Sequence, residues 1–252
     1  MKYLKKLQQK KIFTLEDVGI MTGNLMTAKS LMQSYKKAGY VKSIRRNMYA
    51  AVDLASGNLI ANRYEIASQS SDNAYLSFHS AMEFHGLANQ VFYEMSISSR
   101  HVIHPFEYEG ITYRTHRSRL EEGVITVPYN RLIRVTDIER TIVDCIHDID
   151  LSGGLEEVLS CIDMVPQIDE TIVLRYLGAY DEKYLWQKVG LILELYASQL
   201  RISDHFFDEC ERHIGKRKNY IDGIGENEYF SRWKLYVPKA GLYRADGGEE
   251  FV

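Results

Sequence analysis

The sequence is poor in the features that mark specialised structural classes. Only 4 of its 252 residues are proline, and no segment is of low complexity, so the composition is that of a globular protein. No apolar run approaches the ~18 residues of a membrane-spanning helix. The basic N-terminus, MKYLKKLQQKKIF, lacks the apolar core and cleavage site of a secretory signal. We therefore expect a cytoplasmic protein without a membrane partner.

Signatures of catalysis and of metal binding are also lacking. The three cysteines, Cys145, Cys161 and Cys210, are scattered and form no CxxC pair, which indicates reduced, partly buried thiols. The chain contains no GxSxG, phosphate-loop, Rossmann or HExxH motif. We therefore predict no catalytic residue, no metal and no cofactor.

What the chain does contain is a strong charge asymmetry. Residues 1–52 hold eleven lysines and arginines against two carboxylates, Glu16 and Asp17, a net charge of +9. The remaining 200 residues hold 20 basic and 32 acidic side chains, a net charge of −12. Such asymmetry favours a basic module that meets a polyanion, joined to an acidic body. The alternative is a solvated lysine-rich surface.

The basic segment predicts three helices. The first is a short amphipathic helix in MKYLKKLQQK. Thr14 and Asp17 are placed to cap a second helix, which Gly23 ends. Asn24 is placed to cap a third helix, which ends at Gly39.

A hairpin is predicted next, in GYVKSIRRNMYAAVD. Its strands are Tyr40–Ile44 and Met48–Val52, around a turn at Arg45, Arg46 and Asn47. The order helix, helix, tight turn, helix and two-stranded wing is that of a winged helix-turn-helix. Two adjacent arginines at the wing tip favour contacts with phosphates or a minor groove. The alternative is a hairpin that only covers the core.

The third helix is predicted to have two distinct faces. Leu25, Ala28, Leu31, Met32 and Tyr35 share one face and should pack on the first two helices. The other face is polar and has no carboxylate, as expected of a helix that enters the major groove. With the wing, it gives the predicted DNA-binding residues: Met26, Thr27, Lys29, Ser30, Gln33, Ser34, Lys37, Lys42, Arg45 and Arg46. For each of them the alternative is a solvated surface position.

Three segments resemble the AbiEi antitoxins of bacterial AbiE type IV toxin–antitoxin and phage abortive-infection systems. They are FTLEDVGIMTGNLMTAKSLMQSYKKAGYVKSIRRNMYA, AYLSFHSAMEFHGL (Ala74 to Leu87) and RVTDIERTIVDCI (Arg134 to Ile146). The resemblance covers at least residues 10–150 and weakens in the C-terminal part.

The resemblance implies a bifunctional protein. The winged helix would repress its own operon by binding repeats in the promoter, as double-stranded DNA. For such a repressor we expect cooperative binding at paired half-sites, with copies associating on the DNA. The C-terminal domain would neutralise a nucleotidyltransferase-like AbiEii toxin without an obligatory stable complex.

Beyond residue 52 the pattern predicts an α+β protein: the N-terminal winged helix-turn-helix is followed by a mixed α/β domain with a helical C-terminal part. The predicted divisions are 1–52 for DNA binding, 53–73 for a linker with a helix, and 74–252 for the antitoxin domain. Within residues 74–252 we predict a hairpin that turns at Glu109 and Gly110, a helix capped by Asp137, a single helix over residues 183–200 and a last strand in SRWKLYVP. The glycine-rich end, GLYRADGGEEFV, is expected to be frayed.

Two alternative functions stay open. The first is an enzyme, a nuclease or a toxin-modifying kinase-like protein, which a winged helix would target. It requires a convergent acidic or histidine site. His101 and His104 would point to opposite faces of a strand, and Arg140 and Asp144 have the spacing of an intrahelical ion pair. The second is a protein-interaction module whose basic face binds an acidic partner.

Overall fold

The chain, in a computed structural model that describes residues 2–221 and 226–239, has an α+β fold. Within this described part it forms two compact units. Unit 1 comprises residues 2–76, 93–117 and 126–135, and unit 2 comprises residues 77–92, 118–125, 136–221 and 226–239. The division at residues 52 and 73 stays a prediction, and the predicted frayed end lies outside the described residues. No helix in the described ranges is long and apolar enough to cross a bilayer.

Eleven α-helices occur in the described residues: α1 Leu4–Lys10, α2 Leu15–Thr22, α3 Leu25–Lys37, α4 Arg63–Ser68, α5 Phe78–Phe84, α6 Ile138–His147, α7 Leu155–Asp163, α8 Glu170–Tyr180, α9 Lys183–Glu194, α10 Ala197–Leu200 and α11 Asp204–His213. The strands of the same residues are β1 Ile12–Phe13, β2 Val41–Arg45, β3 Met48–Ala51, β4 Tyr75–Leu76, β5 Glu94–Ser99, β6 Phe106–Tyr108, β7 Ile111–Arg117, β8 Val124–Thr126, β9 Arg134–Thr136, β10 Asn219–Tyr220, β11 Asn227–Phe230 and β12 Leu235–Pro238.

Residues 2–52, the N-terminal module, form α1, α2 and α3 and a small sheet of order β1-β3-β2. Three helices and the hairpin β2–β3 are present, and a short strand that was not predicted, β1, lies between α1 and α2. Thr14 and Asp17 form the reciprocal capping box at the start of α2, and Gly23 ends that helix in the left-handed region.

The predicted core face of α3 is largely confirmed. Ala28, Met32 and Tyr35 are buried, and Leu31 is partly buried against the same cluster. Leu25 packs only in part: its Cδ1 lies beside Gly19 of α2, while 48 % of the residue stays exposed.

A six-stranded mixed sheet has the order β6-β7-β5-β4-β9-β8. β5 pairs with β7 in parallel, whereas β6 and β7 form an antiparallel hairpin. The predicted turn of that hairpin is confirmed at Glu109 and Gly110, since both have positive φ, 49° and 78°.

The helical C-terminal part belongs to unit 2. Asp137 caps α6 as predicted, accepting a hydrogen bond of 2.8 Å from the amide of Arg140. The segment predicted as a single helix over residues 183–200 is divided into α9 and α10. The chain then forms a small sheet of order β10-β12-β11, of which only β12 was predicted.

Candidate nucleic-acid interface

The turn between α2 and α3 is fixed by short-range hydrogen bonds. Asn24 Oδ1 accepts from the amides of Met26 at 2.8 Å and Thr27 at 3.1 Å, two donors that the first turn of a helix otherwise leaves unpaired. Thr22 Oγ1 donates to the Asn24 carbonyl at 2.9 Å. These bonds set where α3 begins and hold its first turn in place.

The outward side of α3 is entirely exposed at the predicted positions. They are Met26, Thr27, Lys29, Ser30, Gln33, Ser34 and Lys37. α3 contains no carboxylate, so its lysines have no acidic partner on their own helix. The structure thus brings seven of the ten predicted residues together on one helix. Their hydroxyl, amide and ammonium groups are able to donate hydrogen bonds to base edges or phosphates.

The hairpin of β2 and β3 is held by its turn. Asn47 adopts a left-handed conformation with φ 57°, which asparagine tolerates better than most residues in a tight turn. Its Oδ1 also accepts a hydrogen bond of 3.1 Å from the amide of Leu15, the first residue of α2. The hairpin tip is therefore attached to the start of α2.

The two arginines of the tip differ in their surroundings. Arg45 is half-buried: its Nη2 donates to the Ser70 carbonyl, and its guanidinium lies 5.5 Å from the centroid of the Phe106 ring. Burial lowers the pKa of Arg45. Arg46, by contrast, is exposed and forms no ion pair with any described residue. Arg46 is thus the arginine of this tip that faces solvent.

Lys42, on the same hairpin, is half-exposed and lies 3.4 Å from a Glu109 carboxylate oxygen. Since Glu109 is 61 % exposed, this pair is a weak surface contact that water and salt screen.

Several cations of the module have no carboxylate within ion-pair distance among the described residues: Lys5, Lys6, Lys29, Lys36, Lys37 and Arg46. Two others are neutralised, because Lys10 pairs with Asp17 at 2.5 Å and Lys11 with Glu65 at 2.6 Å. The uncompensated positive charge lies mainly on α1, α3 and the hairpin tip. Such a surface attracts an anionic polymer.

A buried carboxylate links the module to later residues of unit 1. Glu65 is fully buried and accepts hydrogen bonds from Lys11 Nζ at 2.6 Å, from the Asn62 amide at 2.9 Å and from Asn130 Nδ2 at 2.7 Å. A buried charge needs such partners. This contact could not be read from the sequence, because Lys11 and Glu65 are 54 residues apart.

The predicted ion pair on α6 is confirmed. Arg140 Nε lies 2.6 Å from Asp144 Oδ1, and both side chains are 2 % exposed. Tyr180 donates its hydroxyl to the same carboxylate oxygen at 2.6 Å. Burial raises the pKa of Asp144, and the Arg140 charge opposes that rise. The pair is enclosed by protein atoms, as expected of a structural contact.

The described residues contain no preformed metal site. No group of three or more histidine, cysteine or acidic side chains is placed there to hold a metal ion. His101 and His104 are exposed between β5 and β6, and not on a strand as predicted. The three cysteines are buried and unpaired, and burial raises the pKa of Cys161 to about 12.

No family model and no curated protein matches the sequence. Among solved structures, the chain is similar to the RV2827C protein from Mycobacterium tuberculosis. The TM-score is 0.65 at 13 % sequence identity, and the match covers 93 % of this chain and 89 % of that one. The likeness shows that the two chains share a fold.

Proposed function

We propose that the N-terminal module is a winged helix-turn-helix that binds double-stranded DNA, with α3 in the major groove and the β2–β3 hairpin as the wing. The main support is the fully exposed, carboxylate-free side of α3, next to cations that have no acidic partner among the described residues. Helix-turn-helix proteins read base edges with such a helix and hold the backbone with nearby cations.

The residues of the interface then have separate tasks. Gln33 and Ser30 lie in the middle of the exposed face, and their short polar side chains suit hydrogen bonds to base edges. Lys29, Lys37 and Arg46 supply cations for phosphates, which strengthen binding to any sequence and make it depend on salt. Met26, Thr27 and Ser34 border this set, Lys42 lies near the start of strand β2 of the wing, and Arg45 lies at its tip.

We further propose that the protein is a cytoplasmic autorepressor of its own operon and a non-catalytic antitoxin. The support is the resemblance of three segments to the AbiEi antitoxins. The DNA partner is then the repeats of its own promoter, on which copies of the protein associate. The toxin partner is a nucleotidyltransferase-like AbiEii protein, opposed without an obligatory stable complex.

The first experiment is a mobility-shift titration of the full chain on its own upstream promoter, beside a scrambled duplex, at two salt concentrations. We expect discrete shifts that favour the promoter and weaken with salt, because each phosphate contact releases counterions. The variant Lys29→Ala with Lys37→Ala should bind both duplexes more weakly. Lys183→Ala removes one exposed lysine of unit 2; it is the control for charge loss outside the N-terminal module and should leave both affinities unchanged. Equal affinity of the wild type for promoter and scrambled duplex would contradict specific repression.

The second experiment measures repression and protection in the same cells. A promoter reporter gives the first readout, and growth during expression of the operon's nucleotidyltransferase-like toxin gives the second. The variant Lys29→Ala with Lys37→Ala should lose repression and keep protection, since both changes are on the exposed side of α3. Absence of protection by the wild-type protein would contradict the antitoxin proposal and leave the DNA-binding proposal standing.

A further inference from the structure

The small C-terminal sheet of unit 2 presents a row of three tyrosines. Each strand contributes one: Tyr220 from β10, Tyr236 from β12 and Tyr229 from β11. The strand pairing places Tyr220 and Tyr229 directly opposite Tyr236, one on either side. The three side chains therefore cross the whole width of the sheet on one face.

The three rings form a continuous stack. The Tyr220 and Tyr236 ring centroids are 4.5 Å apart with planes 13° from parallel, and those of Tyr229 and Tyr236 are 4.7 Å apart at 37°. Tyr220 stays 52 % exposed and Tyr229 36 % exposed. The two ends of the stack thus offer aromatic surface to solvent.

Core packing does not account for this exposed row. On β12 the alternate residues Leu235 and Val237 are fully buried and supply the contacts with the core. Trp233, just before this strand, is buried with them. Tyr236 lies on the opposite face by strand alternation. Cross-strand aromatic pairs do stabilise sheets, so a purely structural role is the alternative that an experiment has to separate.

Positive charge borders the tyrosine row. Lys216, Arg217 and Lys218 are consecutive and exposed immediately before β10. Lys218 Nζ lies over the Tyr229 ring, 4.6 Å from its centroid, so this charge is in contact with the tyrosine row. Two exposed carboxylates are also near: Glu226 pairs with Lys239 at 3.3 Å, and Glu228 lies on the opposite face of β11 from Tyr229 by strand alternation.

We propose that this surface, the tyrosine row with its Lys216–Lys218 border, binds single-stranded nucleic acid. Bases would continue the stack at Tyr220 and Tyr229, while the three consecutive cations contact the phosphates. Aromatic side chains beside basic residues are the common means of holding a single strand without reading its sequence. A duplex is a poor ligand here because its bases are already stacked on one another.

The proposal is independent of duplex binding by the N-terminal module and is tested on the full chain by fluorescence anisotropy. The probes are a labelled oligo(U) RNA and an oligo(dT) DNA of about 12 nucleotides, a length within the range such surfaces accommodate. We expect Tyr220→Ala and Tyr229→Ala each to weaken binding roughly 5- to 100-fold, the effect of losing one stacked base. Tyr220→Phe and Tyr229→Phe keep the ring and should bind like the wild type. A preference for one probe would tell whether the ligand is RNA or DNA.

Two controls separate the outcomes. Tyr129→Ala removes a tyrosine that is 84 % exposed elsewhere in the chain and should leave oligonucleotide affinity unchanged. The variant Lys29→Ala with Lys37→Ala should weaken duplex binding and retain oligonucleotide binding. No binding of either probe by the wild type would overturn the proposal. So would alanine variants at Tyr220 and Tyr229 that remain folded by circular dichroism and bind with full affinity.

Discussion

Arg45 and Arg46 are adjacent in the sequence, but we predict that replacing Arg46 affects DNA binding whereas replacing Arg45 affects stability. Arg46→Ala removes an exposed cation with no ion-pair partner in the described residues. Its loss should change the free energy of unfolding by no more than about 0.5 kcal/mol, as is usual for surface positions. If Arg46 contacts one phosphate, the slope of log affinity against log salt should fall by about 0.9.

Arg45→Ala should act on stability instead. It removes the hydrogen bond from the guanidinium to the Ser70 carbonyl, and hydrogen bonds that involve a charged group contribute about 1.5–3 kcal/mol. It also removes the contact with the Phe106 ring, worth about 0.5–2 kcal/mol for a half-buried cation. Against these, the buried Arg45 Nε has no hydrogen-bond partner among the described residues, which lowers the net gain. We therefore expect a loss of about 2 kcal/mol, or a melting temperature lower by roughly 4–8 °C.

The assay has two parts. Urea denaturation gives the stability of both variants, and duplex binding is measured without urea at four salt concentrations. Lys183→Ala serves as the control for loss of one exposed charge. Unchanged stability of Arg45→Ala, together with the same loss of salt slope as in Arg46→Ala, would refute the division between the two arginines.

Three further predictions concern separate parts of the chain. Gln33→Ala should reduce the preference for the promoter over a scrambled duplex by about 1–3 kcal/mol if Gln33 contacts a base, while a retained preference in mobility shifts would exclude that contact. Burial lowers the pKa of Lys188 from 10.5 to about 8, so between pH 8 and pH 10.5 the unfolded chain binds more protons than the folded one and stability rises with pH. Urea denaturation at pH 8 and at pH 10.5 should show a smaller rise in Lys188→Met than in the wild type. Gly190→Ala would place a Cβ 2.1 Å from the Trp233 ring, so we expect a loss of about 1–3 kcal/mol and a shifted tryptophan emission, and an unchanged melting curve would contradict this.

The sequence predicted those elements that short-range chemistry decides. Asn24 and Asp137 cap their helices where expected, because a cap depends on residues two or three positions away. The turn at Glu109 and Gly110 depends likewise on local backbone conformation.

Contacts between residues far apart in the sequence could not be predicted from local patterns. Arg45 is paired with the Ser70 carbonyl, 25 residues further on, and no local pattern indicates that partner. The tyrosine row depends on the register of three short strands, two of which carry no recognisable alternation in the sequence. The exposed side of α3 was predictable as a set from helical periodicity, whereas the partners of the wing residues were not.

The buried carboxylate of Glu65 has a consequence for dissecting the protein by truncation. Cutting the chain after residue 52 would remove Lys11, the cationic partner of Glu65, and leave that carboxylate with only amide donors. Where the rest of unit 1 keeps Glu65 buried, losing one partner of a buried ion pair typically costs about 3–5 kcal/mol, a large part of the stability of an ordinary domain. If a chain without residues 1–52 failed to protect cells, the cause would then be unfolding of the remaining residues, and not a surface that repression and protection share. Repression and protection in this protein are therefore better separated by single side-chain changes on α3 than by scission of the backbone.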